Sequence, residues 1–524
     1  MTGSSMWRVS GARVAVSILL LAVVIRLIRF ALDGHIGFSL ADEGALWYGV
    51  QQVLRGGVPI RDFASYDPAR YYWAAACLWL FHTHGIVAVR AATIAFSTIG
   101  VACGGWLVWQ GSPHRSHIAR GGLCLLAMLL CTLWMVPRWK NYDSAASLIL
   151  VVSLIRVLKH PVPKRFLAHG VVVGLIAVLG RNHGVYGVVA GLLAAPLLVG
   201  NTTKTVWRHC IAAWAGGIVL GYSPVLVGIA LDHRFAVMFW KSIQFLLFDT
   251  RAGELPLSVP WPWRAGIHPL SPTLLEAWAV GCWFLVLPLF CLLGTTALVY
   301  EKWRERTIRH PVFASCVVTA IPYLNVAFSR ADPVHLAQAT LPVLIGIMIF
   351  PWGSRTKTLG PRFVWPALVI LSLYVALPLH PRFAMESQGN WRPVAVDGEL
   401  IWMSPLLANT VDGIEKLARE YLRPGGTVFS APVWPGVYAL LGVTAPVYYN
   451  YPIFPRNDET QGEEIQMLRQ AKPQLVLINT IALDGRDELR YVNTHPLVWR
   501  YILMHYRQIA SPKGEPEILV YVPH

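Results

Sequence analysis

The chain has 524 residues, 55% hydrophobic and 14% charged, against roughly 25% charged in a soluble domain, and its mean hydropathy is +0.49. The apolar residues gather in long runs such as Val14 to Ile25, Cys210 to Ala230 and Trp278 to Val299, which excludes disorder, collagen and a small disulfide-built scaffold and leaves a polytopic α-helical membrane protein. The net charge of +16 does not point to nucleic acid, because the basic residues punctuate apolar spans instead of lining one face of a soluble module.

Runs long enough to cross ~30 Å of hydrocarbon predict about eleven transmembrane helices. They lie near residues 12–31, 85–109, 121–137, 142–158, 166–180, 184–200, 210–231, 274–299, 312–329, 333–350 and 364–380. Lys and Arg concentrate in alternate connections: Arg8 and Arg13; Arg115 and Arg120; Arg156, Lys159, Lys164 and Arg165; Lys204 and Arg208; Lys302, Arg304, Arg306 and Arg309; Arg355, Lys357 and Arg362. The excess of positive charge in cytoplasmic loops assigns that set to the inside. The opposite set is expected outside: a first outer loop over 32–84, a second over 232–273, three short turns, and everything after residue 380. A transmembrane domain over 1–380 and a soluble extracytoplasmic domain over 381–524 follow. The eight cysteines lie in or beside the spans, with neither a disulfide framework nor a zinc pattern.

In the first outer loop, Ser39 to Gly57 reads as one short helix lying on the membrane. Leu46, Trp47, Val50, Val53 and Leu54 form an apolar stripe at helical spacing, Gln51, Gln52 and Arg55 face away, and Gly56 and Pro59 stop it. Asp42 and Glu43 fall in its first turn, where the helix dipole favours carboxylates and an acid can serve as base or metal ligand. Ser39-x-x-Asp42 also matches a capping box, in which Asp42 only satisfies a backbone donor; a cap accounts for one acid of the two.

The helix ends in Gly57-Val58-Pro59, and a polar stretch containing Tyr66-Asp67-Pro68-Ala69-Arg70-Tyr71-Tyr72 leads into a Trp-rich helix before the second span. This sequence of features resembles the GT-C glycosyltransferases, in particular the branch holding protein O-mannosyltransferases and the aminoarabinose transferases that modify lipid A. The resemblance implies a GT-C-like fold and transfer of a sugar from a polyprenyl-phosphate carrier to an acceptor on the outer face, commonly with inversion. Members often carry a His-Pro-Pro-type element where this chain has Tyr66 to Arg70, and Asp67 and Arg70 are expected to contact the donor. A lipid-phosphate sugar presents its anomeric carbon at headgroup level, so a base on an interfacial helix lies where an acceptor hydroxyl needs deprotonation. The phosphate leaving group needs cations or hydrogen-bond donors rather than a strong acid.

Three short outer turns supply such groups: Arg138-Trp139-Lys140-Asn141-Tyr142-Asp143, Arg181-Asn182-His183-Gly184, and Arg330-Ala331-Asp332-Pro333-Val334-His335. Arg330 and His335 come first as phosphate binders, then Arg181, with Arg138 and Lys140 after them. The alternative is that they snorkel, cap helices or pair locally, as Arg330 can with Asp332. Arg26 and Arg29, near the outer end of the first span, divide between the same two readings.

Phe235 to Phe248, with Lys241 inside it, and Trp261-Pro262-Trp263-Arg264 read as an interfacial segment along the path of the isoprenoid tail, or as an aromatic anchor without a ligand. Beyond residue 380 the periodicity predicts helices at Leu407 to Tyr421, Glu459 to Ala471 and Pro496 to Met504, and strands at Thr427 to Ser430, Gln474 to Asn479 and Glu517 to Val522. This α/β module lacks a phosphate-binding glycine fingerprint and a nucleophile elbow, so it is expected to hold substrate or act as scaffold. Asn201-Thr202-Thr203 matches a glycosylation acceptor, but on the cytoplasmic side.

The expected activity is that of an inverting hexosyl- or pentosyltransferase in the cytoplasmic membrane of a bacterium. Its donor is a polyprenyl-phosphate sugar, its acceptor a lipid, glycan or protein, and its surroundings membrane lipids, with no nucleic-acid partner. A divalent cation at Asp42 and Glu43 is compatible with the resemblance, since relatives of the fold differ in using one. The alternatives are a transporter or flippase of lipid-linked saccharides, which calls for midplane charges and often a two-fold repeat, and a polymerase or ligase working through Arg264 or His268.

Overall fold

The structure is a computed structural model that describes residues 3–112, 116–198, 203–249, 255–265, 272–351, 360–512 and 517–524. Arg115, Asn201, Thr202, His268, Arg355 and Lys357 lie outside the described residues. Each of the eleven predicted spans coincides with a helix: Gly3–Asp33, Gly85–Gly111, His117–Trp134, Asn141–Lys159, Pro163–Leu179, Arg181–Leu198, Lys204–Leu231, Pro272–Glu305, Pro311–Ser329, Pro333–Met348 and Trp365–Ala376. Among the described residues, eight helices are long and apolar enough to cross a membrane. The helices Pro163–Leu179, Arg181–Leu198 and Pro333–Met348, of 17, 18 and 16 residues, are not among the eight.

The chain divides into two compact units. One comprises residues 1–33, 93–227 and 256–384 and is helical. Glycine permits one close helix contact: Gly170 and Gly174 of one helix meet Gly217 and Gly221 of another, and a Cβ at these positions would lie 2.2, 2.3, 2.3 and 2.2 Å from backbone oxygens of the facing helix. Both pairs have the small-x-x-x-small spacing that lets backbones approach in lipid, where packing rather than hydrophobicity drives association. Elsewhere Trp134 and Trp283, both fully buried, meet edge to face at 4.9 Å, and the Trp134 indole donates to Ser372 Oγ at 2.9 Å, as a buried indole N–H requires.

The other unit comprises residues 34–92, 228–255 and 385–524. It contains a hairpin of β1 (Arg392–Val396) and β2 (Glu399–Met403). Asp397 and Gly398 join the two strands with φ of 51° and 81°, the left-handed pair that a two-residue Asp-Gly hairpin demands. A four-stranded sheet follows, from β3 (Val428–Ala431), β4 (Leu475–Asn479), β5 (Tyr506–Ile509) and β6 (Ile518–Pro523). Its order is β3-β4-β6-β5, with β3 parallel to β4 and the other pairs antiparallel. Helices Pro405–Tyr421, Asp458–Ala471 and Pro496–His505 match the predicted ones closely, because their apolar periodicity is strong. Phe429, Val476, Ile478, Leu468, Val498 and Ile502 form the buried core.

The two compact units do not divide the chain at a single point. The first outer loop belongs to the same unit as the C-terminal module: Trp402 N donates to His35 O, Gly37 N to Trp402 O, and Gly436 N to Leu40 O, each at 2.8 Å. Ala64 N donates to Tyr448 O at 2.8 Å, and the Tyr48 and Tyr448 hydroxyls bond the backbone at Ala445 and Ile60. Hydropathy locates loops between spans, but main-chain bonds reaching across nearly 400 residues leave no mark in a hydropathy profile.

Candidate functional site

The helix carrying the acidic pair runs Asp42–Leu54 and starts at Asp42. Its N-cap is Ala41, with no side-chain cap, and Ser39 Oγ accepts from Ala41 N at 3.3 Å, so the capping-box reading of Asp42 does not hold. The apolar stripe is covered by protein: Leu46, Trp47, Tyr48 and Val50 are buried, whereas Leu54 is exposed and Gln52 is buried. The expectation that this helix lies with its apolar face on the membrane is corrected accordingly.

Glycine again permits the packing. A Cβ on Gly44 would come within 2.4 Å of Gly436 Cα, and one on Gly49 within 2.3 Å of the Tyr71 ring. Tyr71, 1% exposed, accepts at its hydroxyl from Tyr66 N at 3.1 Å and so fixes Tyr66 beside the helix start. The Tyr66 hydroxyl lies 3.5 Å from Asp42 Oδ1, and the Arg70 guanidinium sits over the Tyr66 ring, 4.9 Å from its centroid. Asp42 and Asp67 are half-buried and Arg70 is buried. Asp42, Tyr66 and Arg70 therefore form one group.

Glu43 is held quite differently. It is 2% exposed, and its two oxygens accept from Arg90 Nε and Nη2, both at 2.8 Å. Arg90, equally buried, also donates to Gly34 O and Gly37 O at 2.7 Å. One planar guanidinium thus satisfies a carboxylate bidentately and two carbonyls of the loop leading to Asp42, which removes the penalty of burying the charges. Through Arg90, Glu43 is tied to the loop that leads into its own helix. Arg90 was not foreseen, although an arginine within the opening turns of an apolar span is the kind of residue that needs a buried partner.

This arrangement answers how far a cation fits the acidic pair. Glu43 has both oxygens on a guanidinium, so a cation bridging the two acids would lose one carboxylate and face Arg90. The pair does not fit a shared metal site. Among the described residues no group of three or more His, Cys, Asp or Glu is placed to hold a metal ion.

In the helical unit, Arg330 Nε donates to Asp332 Oδ2 at 3.0 Å, His335 Nδ1 lies 2.9 Å from both Asp332 oxygens, and Asp332 Oδ1 accepts from His335 N at 2.8 Å. Asp332 is thus the N-cap of helix Pro333–Met348 and gathers the two strongest phosphate candidates. Burial alone would raise its carboxyl, but the bonds from His335 and the nearby Arg330 charge outweigh it and hold the group below the usual carboxylate range. The other two turns meet through Asp143 and His183, both buried: His183 Nε2 lies 3.0 Å from Asp143 Oδ1 and its Nδ1 2.9 Å from the Tyr323 hydroxyl. Arg138 donates to Asp33 O at 2.7 Å, while Arg181 and Lys140 are half-buried. Arg26 does not snorkel: it is 1% exposed and donates to Ser97 Oγ at 2.6 Å. Arg29 pairs with Asp33 and with His380.

Arg61 of the first outer loop bridges Asp62 and, at the start of the second, Asp232, at 2.7 and 3.0 Å. Asp232 caps helix His233–Phe248 by accepting from Phe235 N at 3.0 Å. Leu246, Leu247 and Phe248 are exposed at the end of that helix. Arg264 is exposed and donates to Val259 O at 3.2 Å.

Among solved structures, the chain matches ArnT from Cupriavidus metallidurans in the apo state over 99% of this chain and 98% of that one, at 12% identity and a TM-score of 0.50. It also matches the Archaeoglobus fulgidus oligosaccharyltransferase, at TM-score 0.41 and 10% identity in the apo form, over 99% of this chain and 77% of that one. The complex of that protein with zinc and sulfate matches at 0.47 and 12%, over 97% and 73%. No protein-family model matches the sequence, and no curated protein does. The fold is the GT-C fold that the first outer loop implies.

Proposed function

We propose that the chain is an inverting glycosyltransferase that moves a sugar from a polyprenyl-phosphate carrier to an acceptor at the outer face of the cytoplasmic membrane. The observation that carries this reading is Asp42: the first residue of its helix, half-buried, with its carboxylate facing the Tyr66 hydroxyl, on a helix start clamped by the neighbouring Glu43–Arg90 pair. The GT-C fold supports it, and the distribution of Lys and Arg supports the outward placement of the acids.

In the reaction, Asp42 takes the proton of the acceptor hydroxyl as its oxygen bonds to the anomeric carbon from the face opposite the phosphate. The carbon–oxygen bond to phosphate breaks, and the electron pair leaves with the polyprenyl phosphate. Within the compact unit that carries Asp42, Asp67 and Arg70 contact the donor sugar, and the leaving phosphate needs cations or hydrogen-bond donors rather than a strong acid. Glu43 acts through Arg90 as a positioning residue. The sugar is a hexose or a pentose.

The test is transfer from a synthetic polyprenyl-phosphate sugar by purified protein in proteoliposomes, with the product's anomeric configuration read by NMR. The expected result is an inverted product that Asp42→Asn abolishes. A retained configuration would remove the single-displacement mechanism, and an active Asp42→Asn chain would remove its base.

A further inference from the structure

Away from the acidic pair but within the same compact unit, a cavity of about 520 Å³ opens between helix His233–Phe248 and the start of helix Asp458–Ala471. Its central feature is Arg456. The guanidinium carbon lies 4.1 Å from the centroid of the Phe245 ring and 4.2 Å from that of Tyr449, so two aromatic rings hold the group in place while its planar fork of N–H donors is left to hydrogen-bond. Arg456 Nε is buried and bonds to nothing among the described residues. The neighbouring cation, Lys241, is already neutralised by Glu463 at 2.8 Å.

The rest of the lining decides what would fit. It includes the amide of Gln244, the hydroxyl of Thr460 and the carboxylates of Asp249 and Glu459, with the ring of Phe248 beside them. With three acids against two bases, the lining disfavours a phosphate or another polyanion. Donors and acceptors in near balance around aromatic rings suit a ligand that both gives and takes hydrogen bonds and also has an apolar face. A saccharide is such a ligand: its hydroxyls do both, and its C–H face lies on a ring's negative face. The volume is within the range of small-molecule sites.

We propose that this cavity is a saccharide subsite that holds the acceptor glycan, with Arg456 as its fixed fork of donors; the acceptor role rests on the glycosyl-transfer reading given above. The test is saturation-transfer NMR and calorimetry on the full chain in detergent, with neutral di- to tetrasaccharides of glucose, mannose, galactose and arabinose, and with inorganic phosphate for comparison. Saturable binding of at least one saccharide and none of phosphate is expected. Gln244→Ala and Phe248→Ala, at exposed positions that leave the fold intact, should each weaken it about three- to tenfold. Arg456→Lys should weaken it further, since the point charge of Lys cannot replace an in-plane fork. Binding of no saccharide, or binding untouched by all three cavity variants, would overturn the subsite while leaving Asp42-dependent transfer standing. Binding that the cavity variants weaken, in a chain that transfers no sugar, would support the saccharide site and overturn the transfer reading.

Discussion

Adjacent residues of the same chemical type are expected to fail in opposite ways when neutralised. Asp42 is half-buried, and the Tyr66 hydroxyl lies 3.5 Å from its carboxylate, a distance at the weak limit of hydrogen bonding, so Asp42→Asn should change stability by no more than about 0.5 kcal/mol. If Asp42 is the base, the same change should lower kcat by about 10²- to 10⁴-fold. Glu43→Gln instead leaves Arg90 charged, nearly inaccessible and without its counterion, with the bonds to Gly34 O and Gly37 O and one neutral amide oxygen in place of the carboxylate. Breaking a buried pair from one side costs about 3–5 kcal/mol, and the retained carbonyl bonds place Glu43→Gln near the lower end. Arg90→Met removes all four bonds and strands Glu43, so it should be the most destabilising of the three. The double variant should be less destabilising than the two single changes together, because the stranded partner is gone. Melting by intrinsic fluorescence and transfer from a polyprenyl-phosphate sugar, on the same preparations, give the two readouts. A Glu43→Gln chain that melts normally yet has lost kcat, beside an active Asp42→Asn chain, would exchange the roles and refute the reasoning.

Gly44→Ala should destabilise by about 1–3 kcal/mol, visible as a lowered melting temperature and reduced transfer together, because its Cβ would sit 2.4 Å from Gly436 Cα, a backbone atom that cannot rotate away. Burial pushes the Glu464 carboxyl up to about 8; its contribution to stability is therefore present below the ordinary carboxylate range and is lost as pH rises through 8. Burial pushes His495 down to about 3, so its contribution runs the other way and is complete above about 6.5. The two oppose each other at mildly acid pH, and from about pH 6.5 to 8 the Glu464 loss of about 2 kcal/mol stands alone. Glu464→Gln should flatten the melting temperature over that interval, and an unchanged slope would show that another group titrates there. Treatment with EDTA should leave transfer unaltered, since Glu43 already gives both oxygens to Arg90; loss of activity restored by a divalent cation would overturn that reasoning.

Hydropathy and periodicity are local quantities, and they located the eleven long helices, three of the six C-terminal strands (β3, β4 and β6) and the three longest helices of that module. The strand pairs and the Asp-Gly turn of the β1–β2 hairpin went unread although the turn residues were visible; the polar run around them carries too little apolar periodicity to announce a hairpin. The pairing of Arg330 with Asp332 was equally legible, lying two residues apart in one turn. Separating Asp42 from Glu43 required the fold: Arg90 lies 47 residues from Glu43 in the chain, and no local pattern says which of two neighbouring acids a distant guanidinium will bury. The same holds for the first outer loop, whose backbone hydrogen bonds reach Trp402, Gly436 and Tyr448. Burial and partner choice are properties of surfaces brought together by folding, and for this chain they leave one of two like carboxylates half-buried beside a tyrosine hydroxyl and bury the other against a guanidinium.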